Sequence, residues 1–528
     1  MNEKIKKLIE QMTLEEKISL LAGSDIWHTS AVSRLGIPAI KVTDGPYGAR
    51  TQADNNSDHT YPATCFPTGV AMAATWDVNL VQRIGEVLGD ETRERACAVL
   101  LGPCVNIHRT PLGGRNFESF SEDPFLSSNI TVAFIQGVQS RQVGVSVKHF
   151  ALNNQEFARF SISSEVGERA IREIFFPSFE KAVKVAGAWT AMCSYNKING
   201  THASENRWLL SKILKEEWGF EGLVMSDWFA THSTVEAANA GLDLEMPGPA
   251  RFFGRDLVSA VKQGRVSLEV INDKVSRILS VVEKSGAFDK PAKKVQIKNT
   301  AVRRKLARQS AAESFVLLKN DGRPLPLKKS KIKTLAVIGP NAAQACVEGG
   351  GSSMVKPHYK VSPLEALKKV CENKIKIRFE AGCRSNRLTP VLPARFLISK
   401  PGKTGLKAEF FANNDFRGRA TTERIDRNFH FRWFGDKPPA RNISFDNFSA
   451  RWSGDFRAPV SGKYKFGILT QGWARILLDS KEIVSTRGLS FASDFDIAEE
   501  NTGECELQAG KVYPFSIEYQ KNPDQKSL

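Results

Sequence analysis

Asp227 stands in the plainest chemical setting of the chain. It closes the run Gly222-Leu-Val-Met-Ser-Asp-Trp228, where an apolar stretch suited to a buried strand delivers a carboxylate to its end and Trp228 adds an apolar face that fits a sugar ring. Cleaving a glycosidic bond with retention takes one carboxylate as nucleophile and one carboxylic acid as proton donor, roughly 5 to 5.5 Å apart. Asp227 suits the first role. Read alone, it suits helix capping as well, because an Asp after a strand often caps the next helix. Its companions favour the chemical reading. Asp44, Arg115, Lys148 and His149 supply donors and acceptors that fork onto adjacent hydroxyls, which is how neutral sugars are usually held.

A repeating frame must position these groups. Candidate strands run from Ala39 to Thr43, Val99 to Leu101, Val143 to Val147, Trp189 to Cys193, Gly222 to Met225 and Leu242 to Leu244. After them come, in order, Asp44, the Asn106 to Arg115 loop, Lys148-His149, Tyr195-Asn196, Ser226-Asp227 and Glu245-Met246. Helical patterns stand between strands; Leu80, Ile84, Val87 and Leu88 make one apolar face. In a (β/α)8 barrel the C-terminal ends of the strands converge on one face. Six such stations before residue 285 predict that architecture. A doubly wound sheet also alternates strand and helix, but it gathers its ligands at one switch point, and no Gly-x-Gly-x-x-Gly turn follows an early strand. At the start, the capping box Thr13-Leu-Glu-Glu16 with Ile18, Leu21 and Gly23 predicts a short helix.

Beyond the barrel the texture changes twice. Residues 286–311 are polar and basic and read as a linker, followed by a helical pattern from Ala312 to Leu318 and a turn at Asn320-Asp-Gly-Arg-Pro324. Lys333 to Gly339 reads as a buried strand, Gly349-Gly-Gly-Ser-Ser353 as a loop and Pro363 to Val370 as a helix, which together begin a second α/β unit. The loop lacks the Gly-Lys-Ser/Thr ending of a phosphate-binding P-loop. From about residue 400, the segments Lys407 to Phe411, Asn442 to Phe445, Ala450 to Phe456, Lys463 to Ile468 and Arg475 to Asp479 alternate in polarity. Turns such as Pro459-Val-Ser-Gly462 separate them, the pattern of an antiparallel β domain. The predicted fold class is therefore α/β multidomain with an all-β module.

Five motifs carry a family resemblance: Thr43-Asp-Gly-Pro-Tyr-Gly-Ala-Arg50, Gly102-Pro-Cys-Val-Asn-Ile-His-Arg109, Gly114-Arg-Asn-Phe-Glu-Ser-Phe-Ser-Glu-Asp-Pro124, Val147-Lys-His-Phe150 and Met225-Ser-Asp-Trp228. They stand in the order of glycoside hydrolase family 3, and the chain resembles that family's β-glucosidases. The resemblance implies a TIM-like barrel over 1–285, a linker over 286–311, the first part of an α/β sandwich over 312–395 and a PA14-like β domain over 400–528. The PA14 likeness rests on Gly405-Leu-Lys-Ala-Glu-Phe-Phe411, Phe448-Ser-Ala-Arg-Trp-Ser-Gly-Asp-Phe456, Pro459-Val-Ser-Gly-Lys-Tyr-Lys-Phe466 and Ala474-Arg-Ile-Leu-Leu-Asp479. It further implies retaining hydrolysis of terminal β-D-glucosyl residues, with Asp227 as nucleophile. Asp44, Arg115, Lys148 and His149 would then grip hydroxyls, Tyr195 would support the nucleophile and Trp228 would line the sugar site.

Lys148-His-Phe is followed by Ala151-Leu-Asn-Asn-Gln-Glu156, which departs from the Lys-His-Phe-Pro-Gly-His-Gly loop of the family's N-acetylhexosaminidases. A β-xylosidase and a non-catalytic carbohydrate-binding protein remain the alternatives. The family's proton donor lies after the inserted module, near a Glu-Gly-x-Asp-Arg stretch that is missing here, and is expected beyond Leu528. Glu348 is the nearest substitute. Without an acid, natural glucosides should react slowly, since general acid assistance is worth about a hundred- to ten-thousandfold.

Composition excludes other classes. The formal charge is +17, but its densest stretch, Lys290 to Arg308, falls in the predicted linker, so neither nucleic acid nor membrane is expected as a partner. The eight cysteines include no Cys-x-x-Cys pair and the β module carries no paired-Asp calcium motif, so no metal and no cofactor are expected. Trp452 and Trp473 read as core packing. No apolar N-terminal leader is seen, and a soluble, cytoplasmic protein with a small-molecule or oligosaccharide substrate is expected. Oligomeric state leaves no signal.

Overall fold

The computed structural model describes residues 2–52, 60–289, 295–347, 349–372, 374–383, 388–399, 402–431, 433, 439–440, 442–444, 447–470, 472–486 and 500–521. Met1–Gly382 form one compact unit and Cys383–Leu528 a second.

In the first unit, five strands lie in one parallel sheet in chain order: β1 (Val42–Asp44), β2 (Val99–Leu101), β3 (Gly144–Phe150), β4 (Thr190–Cys193) and β5 (Leu223–Met225). All are fully buried, as parallel strands covered on both faces must be. The predicted strand Leu242 to Leu244 is instead a single parallel bridge from Leu244 to Met225. The carboxylate of Asp243 takes the place of a rung: its Oδ2 accepts from Val224 N at 2.9 Å. Lys215 Nζ meets Asp243 Oδ1 at 2.6 Å, and Lys274 Nζ donates to Leu242 O at 2.7 Å. The ring then closes through irregular backbone. Glu245 N donates to Leu21 O and Gly23 N to Glu245 O, Ser24 N reaches His28 O, and Val42 N returns to Trp27 O, each at 2.8–2.9 Å. The result is a TIM-like barrel.

Helices cover the ring. The helix Leu14–Leu20 has the predicted capping box, Thr13 with Glu16. Val78–Glu94 begins where Asp77 Oδ1 accepts from Asn79 N and Leu80 N, and it buries Leu80, Ile84 and Leu88. It packs closely on Pro124–Gln139, where Gly137 is required: a Cβ there would sit 2.2 Å from Gln82 O.

The expected linker is helical in its second half. Thr300 caps a helix Ala301–Glu313 through Arg303 N, earlier than the predicted 312–318 pattern. Residues Phe315 to Leu318 are exposed and outside any helix, because the helix ends at Glu313 and buries Arg303, Leu306 and Ser310 instead. Arg303 reaches Glu94 on the barrel helix at 2.9 Å. Further on, Thr334–Ile338 and Lys376–Glu380 form a two-stranded parallel sheet.

Among its described residues the second unit is built of β-strands, with one short 3-10 turn at Ala394–Phe396. Its main sheet is built around Ser449–Arg457, which pairs along its whole length with Val512–Gln520 and on its other edge with Leu397–Ser399 and Leu406–Phe411. Gly462–Ile468 and Asn501–Leu507 form a separate antiparallel pair. Trp452 lies in the core, stacked on Phe431 at 5.3 Å, with its indole N–H on Asp426 Oδ2 at 2.8 Å. Trp473 is half-buried beside Arg475. The described part of the predicted strand Asn442 to Phe445 is not a strand, and Phe445 lies outside the described residues. Among the described residues no helix is long and apolar enough to cross a membrane.

Candidate active site

Because β1 to β5 are parallel, their carboxyl ends share one face, and the sequence-predicted groups arrive there from all five strands. Asp44 is the last residue of β1. Arg115 follows β2, Lys148 and His149 lie within β3, Tyr195 follows β4, and Asp227 and Trp228 follow β5. All seven meet around Asp227.

Asp227 caps no helix; the next one, Val235–Ala240, starts eight residues later. Its Oδ1 accepts the Tyr195 hydroxyl at 2.8 Å and Trp228 N at 2.7 Å. Its Oδ2 is buried with no hydrogen-bond partner among the described residues. Burial pushes this carboxyl above its ordinary range, opposed by the charges of Arg115, Arg159 and Lys148 and by the Tyr195 hydrogen bond. Burial likewise drives the Tyr195 phenol far upward, aided by the Asp227 charge, so it stays a donor.

His149 Nε2 lies 3.5 Å from Asp227 Oδ2. This is not an ion pair, because burial and then Arg115, Lys148 and Arg159 hold the imidazole well below its usual pKa. Asn106 settles the tautomer. Its Oδ1 accepts from His149 N at 2.9 Å and lies 3.2 Å from Nδ1, while its Nδ2 donates to His149 O. Nδ1 therefore carries the proton, and Nε2 keeps an unprotonated lone pair.

Lys148 Nζ pairs with Asp44 Oδ1 at 3.2 Å. Burial opposes its charge, but Asp44 and Glu118 outweigh that, and its pKa is raised. Arg115 donates through Nε to the buried Glu118, and its Nη2 reaches Ser352 Oγ at 3.3 Å. Trp228 meets Trp27 at 5.6 Å between ring centroids and donates its indole N–H to Ile26 O.

Several partners escaped the sequence reading. The guanidinium of Arg159 lies 4.5 Å from the Tyr195 ring centroid and donates to Glu156 Oε2 at 2.7 Å. The polar run after Lys148-His-Phe was the available signal for this pair. The Gly-rich loop, read only as part of a second unit, sits on the barrel: Arg50 Nη1 donates to Ser352 O at 3.0 Å, and the Tyr47 hydroxyl to Ser353 Oγ at 3.1 Å. Its separation from Arg50 by 302 positions leaves no local trace. Glu348, the substitute acid named from the sequence, lies outside the described residues. A cavity of about 440 Å³ lies at the other ends of the strands, among Ile40, Lys41, Arg95, Cys97 and Ala287, away from these groups.

Charged groups converging at the carboxyl ends of a closed parallel barrel place the candidate site on the face where barrels of this class carry theirs. Comparison with known proteins gives the family. Residues 11–281 match the glycosyl hydrolase family 3 N terminal domain, and this chain belongs to that family; residues 402–528 match the PA14 domain. A Beta-glucosidase of Rhizobium radiobacter is 44% identical over 522 residues, 98% of this chain and 62% of its own length. The Thermostable beta-glucosidase B of Acetivibrio thermocellus is 47% identical over 384 residues, 72% of this chain and 50% of its own. The crystal structure of a Beta-glucosidase from Kluyveromyces marxianus in complex with glucose superposes with a TM-score of 0.81 at 34% identity, covering 98% of this chain and 63% of that one. The chain thus spans about three fifths of the length of the first curated relatives.

Proposed function

We propose that this chain carries the glycone site and nucleophile of a retaining β-glucosidase acting on terminal non-reducing β-D-glucosyl residues of β-glucosides or short oligosaccharides. Asp227 is the nucleophile. Asp44, Arg115, Lys148 and His149 bind sugar hydroxyls, Tyr195 holds the nucleophile and Trp228 lines the ring. Residues 1–285, 312–395 and 400–528 serve as barrel, first part of an α/β sandwich and PA14-like module, in a cytoplasmic protein.

One observation carries the reading. Asp227 is buried with Oδ1 held by two donors and Oδ2 unpartnered among the described residues, which is the arrangement for a fixed oxygen aimed at an anomeric carbon. The test is intact mass after incubation with a 2-deoxy-2-fluoro glucoside bearing a good leaving group. One covalent adduct on the parent and none on Asp227→Ala is expected. An adduct on both, or only with the matching xyloside, overturns the glucosyl assignment.

A second reading draws on the carboxyls nearby. Glu118 and Glu156 are both engaged by arginines, so neither is free to donate a proton. That favours slow turnover of natural glucosides, or a carbohydrate-binding protein without turnover. Calorimetry with glucose and cellobiose beside rates on aryl and alkyl glucosides separates these; binding with no adduct and no turnover selects the binder.

A further inference from the structure

Two rim loops carry the two ends of the Tyr195–Asp227 hydrogen bond, and a pair of histidines ties those loops together. Tyr195 opens the loop after β4, which continues into the hairpin Lys197–Ile198 and Thr201–His202. His202 turns back, with Nδ1 3.4 Å from Tyr195 O, so Nδ1–H donates to that carbonyl. Its ring stacks on His232, with centroids 3.7 Å apart and planes at 21°. His232 lies five residues beyond Asp227 on the loop after β5. It makes none of the described hydrogen bonds, and its Nε2 is buried without a partner among the described residues.

We propose that His202 and His232 are positioning residues: their neutral rings clasp the Tyr195 loop to the Asp227 loop and release it when protonated. The inference rests on Asp227 being the nucleophile. The surroundings explain the acid sensitivity. Lys197 and Arg251 face the pair, while Glu205 is the one carboxylate facing it among the described residues, and it faces His202. Burial lowers both imidazoles, His232 to about 4. A proton on either ring meets Lys197, and a second would set two cations in stacking contact. Among the described residues neither His hydrogen-bonds Asp44, Arg115, Lys148 or His149, so the pair acts through the loops that carry Tyr195 and Asp227.

The experiment measures the rate of covalent labelling by the activated 2-deoxy-2-fluoro glucoside against pH, on the whole chain and on His232→Ala and His232→Phe. Losing the stack in His232→Ala should slow labelling at pH 7 by about ten- to a hundredfold, the usual effect of a small misplacement of reacting groups. His232→Phe keeps a stacked ring that cannot titrate. It should restore the rate at pH 7 and turn the acid limb from a two-proton fall, one imidazole of the pair and Asp227 together, into a one-proton fall, because a proton on His202 then leaves its ring stacked as a cation on the Phe face. A His232→Ala protein that labels at the parent rate, or a two-proton limb retained in His232→Phe, overturns the proposal. Histidine ring NMR gives an answer independent of labelling: both rings should titrate below the usual value of about 6.5, His232 at about 4, and His202 should move towards the usual value in His232→Ala. If the parent takes no label at any pH, the glucosidase reading fails; ordinary titration of both rings then overturns the clasp as well.

Discussion

Replacing Tyr195 by Phe removes one defined interaction and should move the acid limb of covalent labelling. The hydroxyl donates to Asp227 Oδ1 at 2.8 Å and favours the ionised carboxylate. A hydrogen bond to a charged group is worth about 1.5 to 3 kcal/mol. Trp228 N stays on the same oxygen at 2.7 Å, so the lower end applies. About 1.4 kcal/mol corresponds to one pKa unit. Asp227 is already raised by burial; losing a donor raises it further, so the labelling rate should begin to fall about one pH unit higher in Tyr195→Phe. The Tyr195 ring remains packed on Phe160 at 4.3 Å and under Arg159, so the change is electrostatic rather than a collapse of the wall. The assay is the pseudo-first-order labelling rate from pH 3.5 to 8, read by intact mass. An acid limb that stays in place in a folded variant refutes the claim that this hydroxyl sets the protonation of Asp227.

Asp227→Asn should shift the pH dependence of stability. A carboxyl whose folded pKa is raised contributes stability that is present at low pH and lost as pH rises through that pKa, so the variant gains on the parent as pH rises from about 3 to 7; parallel melting curves would contradict this. Lys274 runs the other way: burial lowers it to about 7, so the unfolded chain binds the extra proton between that value and about 10.5 and parent stability rises with pH, by up to about 1.4 kcal/mol per unit. Lys274→Met should flatten that slope in denaturant unfolding at pH 7 and 9, with Lys215 still holding Asp243. Gly48→Ala places a Cβ 2.7 Å from Thr64 O and 2.8 Å from Val355 Cγ1, crowding the Gly-rich loop's seat on the barrel. A loss of about 1 to 3 kcal/mol and faster proteolysis around Val347–Lys356 are expected; unchanged cleavage would show that the loop has another anchor.

Much of the barrel was legible because parallel strands buried on both faces must be apolar and short, and the polar groups at their ends break the pattern where the chain turns towards solvent. Five of the six predicted strands formed within a few residues of their predicted bounds. The sixth did not, since Asp243 satisfies Val224 N with a side chain, and nothing in Leu242-Asp-Leu244 announces which backbone group an Asp will seek. The helix at Ala301 began early for a similar reason: Thr300 is a good cap, but the basic run after it looked like solvated linker until Arg303 found Glu94.

By itself the sequence determined the order of five of the barrel strands, their alternation with helices and the family motifs, because each depends on residues within one segment. Tertiary structure alone decided which oxygen of Asp227 is held and which is left open, which nitrogen of His149 carries the proton, and that Arg159, Ser352 and the stacked histidines belong to this face. Those facts depend on distances between segments up to 302 positions apart, and they arise only when the ring closes and water is excluded, so that burial and neighbouring charge can act on groups the chain order does not bring together.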